Sequence, residues 1–377
     1  MKSISYWLDY PYKARLALSG SIEADVVIVG AGITGVSAAY HCAKQGLKTV
    51  LIEKNTVASG AAGKNGGMVV EGFSVPFVVA IEQMGFDVAK NNWKKTVEAR
   101  TYVQSLIEDH AIDCDFEQPG SLLMSYDQKE KEFLRVEADM RYRAGFKVEL
   151  IEHGQQLKDG PFDLELFTPG DCTMHPVKFV RGLARAAEEY GAIIYEETPG
   201  LHIDAHTVTT TNGIVRAKRV VLALEGSSQF ADSDNVTITH EQAIVTEPLS
   251  AEDMAALDWS TGGMFWTLGE DYYNIRKIDS RLFTSGRIDP NFTEEELAAH
   301  RDFLVDIIRQ RLPSLKHRNI SISHHWTAVT VKSSQEQAMI RNRDGIYEIF
   351  GNGDFGFTNG MMAGKCIAES FWLLHFR

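Results

Sequence analysis

Gly30, Gly32 and Gly35 stand directly after the apolar run Val26–Val29 and open a stretch, ITGVSAAYHCAK, with the composition of a helix. A helix N-terminus offers unpaired N–H groups and a positive dipole end, and glycines let the chain bring both against a pyrophosphate. In this pattern Gly30 permits the tight turn and Gly32 removes a side chain where phosphate approaches. Gly35, with Ala39, lets the helix lie close on the strand. Ile33 and Thr34 occupy the first helical turn. Glu53 closes the next strand-like run, TVLIE, where a carboxylate accepts hydrogen bonds from both ribose hydroxyls, and Lys54 follows it. An acid at that point argues against a 2′-phosphate. GxGxxG alone is a weak signal, but here strand, turn, helix, strand and terminal acid all agree, so a bound dinucleotide is expected.

A second glycine-rich segment, ASGAAGKNGGMV, begins at Ala58, a few residues beyond the acid. NAD enzymes seldom need one. FAD is longer, and its ribityl chain and flavin ring have to pass backbone that allows close approach. Ser59, Gly60, Lys64, Asn65, Gly66, Gly67 and Met68 are therefore candidate cofactor contacts.

The elements that must position these groups follow from periodicity. Asp25–Lys54 reads as a βαβ unit, with helical patterns over 83–110 and 128–144. A third helix, VKFVRGLARAAEEYG, leads into strands AIIYEE and VRAKRVVLAL, which restore the opening alternation. Residues 237–287 are strand-like, and an amphipathic helix over 293–311 is entered through Thr293 with acids in its first turn. A last strand, GIYEIFG, precedes a glycine-rich turn and a helix. A chain of 377 residues suits two domains. Its formal net charge of −13 opposes a nucleic-acid partner. The four cysteines show no ligand spacing, so no metal is expected, and reduced thiols with no secretory leader suit the cytoplasm. No apolar run approaches membrane-spanning length.

Together with HPVKFVRGLARAAEEYGAIIYEETPGLHI, AKRVVLALEG, YYNIRK, RLFTSGR and GNGDFGFTNGMMAGKCIAE, these segments resemble the D-amino acid oxidase family of flavoproteins. The likeness runs over nearly the whole chain, in the branch that holds glycine oxidase, monomeric sarcosine oxidase and gamma-glutamylputrescine oxidase. It implies an α/β fold: a Rossmann-like FAD-binding domain from 1–88, 151–226 and 325–377. Interleaved with it is an α+β substrate domain from 89–150 and 227–324, built on a mixed or antiparallel sheet. It also implies that Gly200 meets the adenine and that Ala223 to Gly226 lie by the nucleotide. Gly351, Asn352, Gly353, Asp354, Phe355, Gly356 and Phe357 would wrap the flavin. A helix N-terminus after that turn favours negative charge on reduced flavin.

The resemblance breaks at the substrate anchors. The arginine that clamps a carboxylate in glycine oxidase-like members falls at Thr330, and the lysine and arginine of sarcosine oxidase-like members fall at Thr358 and Met68. A carboxylate buried without a cation is costly, which favours an amine substrate. Arg276 is a candidate replacement clamp, since Tyr272, Asn274 and Arg276 share one face of a strand and Tyr273, Ile275 and Lys277 the other. Tyr273 matches the family's active-site tyrosine, and Trp326 and Asp354 complete the candidate catalytic set, Asp354 as an acid that attracts an ammonium group. Of His324 and His325, adjacent on a strand, only one can face the site. Ala328 stands where sarcosine oxidase binds flavin covalently, so FAD is expected without a covalent bond. The oxygen-activating lysine falls near Thr284, leaving O2 and another electron acceptor both open. The reaction expected is hydride transfer from the carbon beside nitrogen to flavin N5, giving an imine. The alternatives are an α-amino acid oxidase or dehydrogenase that uses Arg276, and a non-catalytic redox sensor.

Overall fold

The computed structural model describes residues 1–152, 164–225, 235–257, 259, 262–268, 273–334 and 337–375, with side chains as far as 371. Two eight-stranded sheets organise it. The first runs β17 (Met339–Arg343), β18 (Ile346–Phe350), β11 (Gly213–Leu222), β1 (Gly20–Val29), β2 (Thr49–Ile52), β8 (Ile193–Tyr195). β9 (Gly200–Ile203) and β10 (Thr207–Thr210) attach to β11. The pairs β11–β1, β1–β2, β2–β8 and β11–β18 are parallel. A parallel centre must be buried on both faces, and the apolar run of β1 divides accordingly. Val26 and Ile28 meet the helices α1 (Ile33–Lys44) and α5 (Pro176–Glu189), whereas Val27 and Val29 meet Val208 and Val215 under the β9–β10 layer.

The second sheet runs β16 (Ile322–Ser333), β12 (Val236–Thr246), β15 (Arg281–Ile288), β14 (Asn274–Ile278), β13 (Met264–Thr267), β4 (Ser121–Met124), β6 (Leu164–Thr168), β5 (Glu149–Glu152). Every pair in it is antiparallel except β13–β4. Alternation gives it two characters. Ile244, Ile275 and Leu282 point outward to α7 (Glu294–Arg311), packing with Leu304 and Ile308. Ala243, Phe283 and Trp326 point inward and join the core of the first domain. A short ribbon of β3 (Met68–Val69) and β7 (Cys172–Thr173) crosses the seam. The helices α2 (Phe77–Met84), α3 (Phe86–Asp109), α4 (Gln128–Ala144) and α6 (Ala251–Ala256) complete the second domain's periphery. α3 is not wholly solvent-facing, since Val103 and Leu106 are buried in the first domain's core.

Sheet membership sets the seams. The segment expected to rejoin the cofactor domain at 325 begins inside β16, which pairs with β12 along its whole length. Likewise β5 and β6 lie in the second sheet, so the return to the first domain comes with α5. The expected boundary at 88–89 falls inside α3, and the one at 226–227 lies outside the described residues.

The last helix, α8 (Gly356–His375), packs directly on α1. The approach leaves no room for side chains: a Cβ on Gly364 would stand 2.5 Å from the Thr34 carbonyl oxygen and 2.7 Å from the Ala38 nitrogen. Ser37 Oγ donates to the Met361 carbonyl at 2.7 Å across the same contact. Because the obstructing atoms are backbone, Gly364→Ala has to part the helices. We expect it to lower stability by about 1–3 kcal/mol, read as a lower urea midpoint at unchanged m-value.

Candidate active site

Gly30 leaves β1 with φ +102°, its N–H donating to the Ile52 carbonyl at 2.8 Å. Close packing explains the neighbouring glycine, since a Cβ on Gly35 would lie 1.9 Å from the Gly30 oxygen. Gly32 is different. It caps α1 without any side-chain hydrogen bond, its backbone is extended, and a Cβ there would meet nothing within 4 Å. Nothing among the described residues requires glycine at 32, and the open space there suits a ligand at the α1 N-terminus. Glu53 ends β2 between two donors, Oε2 accepting the Ala31 N–H at 2.8 Å and Oε1 the Asn55 N–H at 2.9 Å. Lys54 is exposed and Ser59 is half-buried.

The second glycine segment is held by its carbonyls. Ser5 Oγ donates to Gly63 O at 2.6 Å, Trp326 Nε1 to Lys64 O at 2.8 Å and Trp7 Nε1 to Asn65 O at 2.7 Å. Arg276 Nη1 then reaches Gly66 O and Gly67 O, and Met174 O at 3.0 Å. Five consecutive carbonyls are thus taken by four side chains from three distant parts of the chain. Asn65 adds a local clamp, its Oδ1 accepting the Gly67 N–H at 2.7 Å. Arg276 is 4% exposed, lies 5.1 Å from the Trp7 ring centroid, and burial lowers its pKa to about 10. The guanidinium that the sequence offers as a carboxylate clamp is engaged on backbone.

The final glycine turn closes on the first. Gly351 and Gly353 have φ of +76° and +71°, and Asn352 between them joins three elements. Its N–H donates to Glu225 Oε1 at 2.7 Å and its Nδ2 to Thr34 Oγ1 at 3.1 Å, while its carbonyl accepts from Asn359 Nδ2 at 2.8 Å. Asn352 Oδ1 and Glu225 Oε2 are buried with no partner among the described residues. Phe355 is half-buried, with its carbonyl receiving the Thr358 hydroxyl. Phe357 packs edge-on against Phe179 at 5.2 Å, a core contact. Ala223 N–H donates to Val29 O beside Gly30, and Gly200 opens β9. Burial raises the pKa of Glu225 to about 8, offset in part by the Asn352 and Gly351 N–H groups. This acid at the carboxyl end of β11 lies within the Ala223–Gly226 span that the resemblance places by the nucleotide, where no role was given to its side chain. Its position was the available signal, because ligands of such sheets bind beyond the strands' carboxyl ends.

On the second sheet, alternation sorts the candidates. Trp326, Ala328, Thr330 and Lys332 face inward on β16. Tyr273 does not: its ring meets Phe303 of α7 at 5.8 Å and packs with the outer cluster, one residue out of phase with Asn274 and Arg276. Tyr273 is therefore corrected from the site to the outer face; Tyr272 lies outside the described residues. Thr284 also faces outward, so Phe283 and Ser285 are the inner residues there. Asp354 is exposed, 3.9 Å from Lys332 Nζ, which also donates to Ser74. His324 pairs with Asp9 at 2.9 Å, and burial lowers the pKa of His325 on the opposite face. Four inner-face residues went unremarked as site residues in the sequence: Glu241, Asn274, Ser285 and Lys332.

A parallel nucleotide-type sheet joined to an antiparallel one, with three glycine turns meeting at the seam, is the architecture of FAD-dependent amino acid and amine oxidoreductases. Glycine oxidase from Geobacillus kaustophilus superposes with TM-score 0.71 at 18% identity, covering 92% of this chain and 94% of that one. L-amino acid deaminase from Proteus myxofaciens superposes at 0.72 and 16% identity, covering 95% and 93%. These likenesses speak for the fold. The DAO profile, described as FAD dependent oxidoreductase, matches residues 25–370, and the chain belongs to that family. In sequence it is 27% identical to gamma-glutamylputrescine oxidoreductase of Escherichia coli (strain K12), over 93% of this chain and 84% of that protein. It is 27% identical to glycine oxidase of Bacillus licheniformis, over 92% and 91%.

FAD fits the residues present. The uncapped α1 terminus with open space at Gly32 suits a pyrophosphate, and the orphan acceptors at Asn352 and Glu225 suit hydroxyl and imide donors. Two expectations follow. Gly32→Ala should leave apoprotein stability within about 0.5 kcal/mol yet weaken FAD binding, measured by reconstitution. Glu225 binds its proton more tightly when folded, so its contribution to apoprotein stability falls as pH rises from 4.5 through about 8. Glu225→Gln should remove that part of the pH dependence, and an unchanged profile would assign it to other groups.

Proposed function

We propose that this protein oxidises the C–N bond of an amine lacking an α-carboxylate, with FAD held non-covalently. The observation that carries this is the use of Arg276: its Nη1 hydrogen-bonds Gly66, Gly67 and Met174, while Thr330, Thr358 and Met68 supply no charge at the family's anchor positions. FAD supplies the hydride acceptor. The C–H bond beside nitrogen breaks with its electron pair leaving as hydride, the nitrogen lone pair forms C=N, and water hydrolyses the imine to a carbonyl compound and the released amine or ammonia. The amine must therefore be neutral when it reacts. The chain's own work is positioning and exclusion of water. Ser5, Trp7, Arg276 and Trp326 fix the backbone along the site, and Phe283, Trp326 and Trp266 line the inner face with apolar surface. Ala328, opposite Glu241 on the neighbouring strand, has no group to bond flavin.

One observation favours a second reading, an α-amino acid oxidase: Lys332 faces inward one strand period beyond Thr330. The readings separate by experiment. The ratio of kcat/KM measured as anaerobic flavin bleaching should favour primary amines over glycine and sarcosine. If an amino acid proves better and Lys332→Met abolishes that activity alone, the carboxylate clamp is Lys332 and the amine assignment falls. Acid precipitation should leave the flavin in the supernatant; a coloured pellet rules out the non-covalent reading. Arg276→Met should destabilise the fold by on the order of 3 kcal/mol, because buried carbonyls lose their donor. A stable variant that loses only amino acid turnover would return Arg276 to the substrate.

A further inference from the structure

The inner face of the second sheet carries a carboxylate where the reaction needs none. Glu241 on β12 is in phase with Ala243, so it shares the inward side with Phe283 and Trp326. Its cross-strand neighbours are Ala328 on β16 and Arg287 on β15. Ser285, the next inward residue of β15, gives its hydroxyl proton to Glu241. With that proton spent, Ser285 Oγ only accepts, and it accepts from Asn274 Nδ2 at 3.1 Å. The relay fixes the amide's orientation: Asn274 turns its NH2 to Ser285 and leaves its carbonyl oxygen over. Asn274 is 7% exposed, and Oδ1 has no hydrogen-bond partner among the described residues. On the same strand face as Glu241, Thr239 Oγ1 is likewise buried without a partner.

We propose that Glu241 and Asn274 form a receptor for a cationic nitrogen of the substrate, distinct from the nitrogen that is oxidised, so that the substrate class is a diamine or longer polyamine. A buried acceptor left unpaired costs free energy unless a donor arrives, and an ammonium group brings up to three donors and a compensating charge. Among the described residues, Arg287 opposite Glu241 offsets that charge only in part. Arg287 is exposed, and Asp354 adds a second negative charge near Glu241. Burial together with that repulsion holds the Glu241 pKa above the ordinary carboxylate value. A nitrogen kept protonated by this pair has no lone pair to form C=N, so the bond that is oxidised belongs to another nitrogen of the same molecule. The relay Asn274–Ser285–Glu241 makes the receptor rigid before the ligand arrives.

The inference rests on the amine reading for its catalytic arm only, and a binding arm stands apart from it. With holoenzyme, kcat/KM for anaerobic bleaching by 1,4-diaminobutane should exceed that for 1-aminobutane by about tenfold or more, the worth of one charge-assisted contact. Glu241→Gln should remove most of that preference, and Asn274→Ala part of it, with FAD content unchanged. In the binding arm, tert-butylammonium, which keeps three N–H donors but has no C–H beside nitrogen to be oxidised, should perturb the flavin spectrum, and Glu241→Gln should raise its Kd about tenfold. tert-Butylammonium binding that depends on Glu241, with no bleaching by any amine, keeps the receptor and removes amine oxidation. Bleaching with no preference for the diamine, or a preference that survives Glu241→Gln, removes the receptor and keeps amine oxidation. If neither probe acts, both fall. A Glu241→Gln variant that loses only thermal stability shows Glu241 to be an ion-pair partner of Arg287 and overturns the proposal.

Discussion

The carbonyls of residues 63–67 cannot be left bare. A glycine-rich strap between two domains has little ladder to satisfy its backbone, the Met174 N–H reaching only the Gly67 carbonyl, and each buried carbonyl without a donor costs about 1–3 kcal/mol. Ser5, Trp7, Arg276 and Trp326 answer that need with four side-chain donors. Much else depends on this solution. It draws the inner face of the second sheet onto the first domain, since two of the donors stand on β14 and β16. It also explains why an arginine and two indoles are buried at the seam, where their donors are obligatory.

That requirement accounts for what was legible in the sequence and what was not. Local signals were reliable. The βαβ unit carries its glycines and acid in order, α4 begins and ends where its pattern does, and α7 starts at Thr293 with a complete capping box to Glu296. The roles of Arg276 and Tyr273 depended on longer-range facts. Arg276 looks the same in a sequence whether it meets a carboxylate or three carbonyls, because its partners are over a hundred positions away. Tyr273 sits one residue from the phase that would place it inward, and a one-residue error reverses a strand's faces. Glu225 and Glu241 were unremarkable as letters; the relay through Ser285 exists only once β12, β14 and β15 are paired.

Buried acids stand at the seam as well as buried cations. Burial raises Glu225 to about 8, against the opposing pull of the Asn352 and Gly351 N–H groups. A further acid, Asp171, is buried beside Ser121 and the Glu71 N–H and raised to about 7, chiefly by burial and then by the Glu71 charge. Arg100, 3.6 Å from Glu71, is the cation that offsets this group.

The donors that hold the strap sit at positions 5, 7, 276 and 326, on both sides of the segment they fix. During synthesis from the N-terminus, the first two are available when residues 63–67 appear, but the arginine and the second indole emerge only after most of the chain has been made. The early βαβ unit can form by local contacts, whereas the strap acquires its final shape through closures spanning hundreds of residues, which are slow. Closure of the seam thus becomes a late event, coupled to docking of the second sheet, and a chain truncated ahead of β16 would lack the Trp326 donor that holds the Lys64 carbonyl.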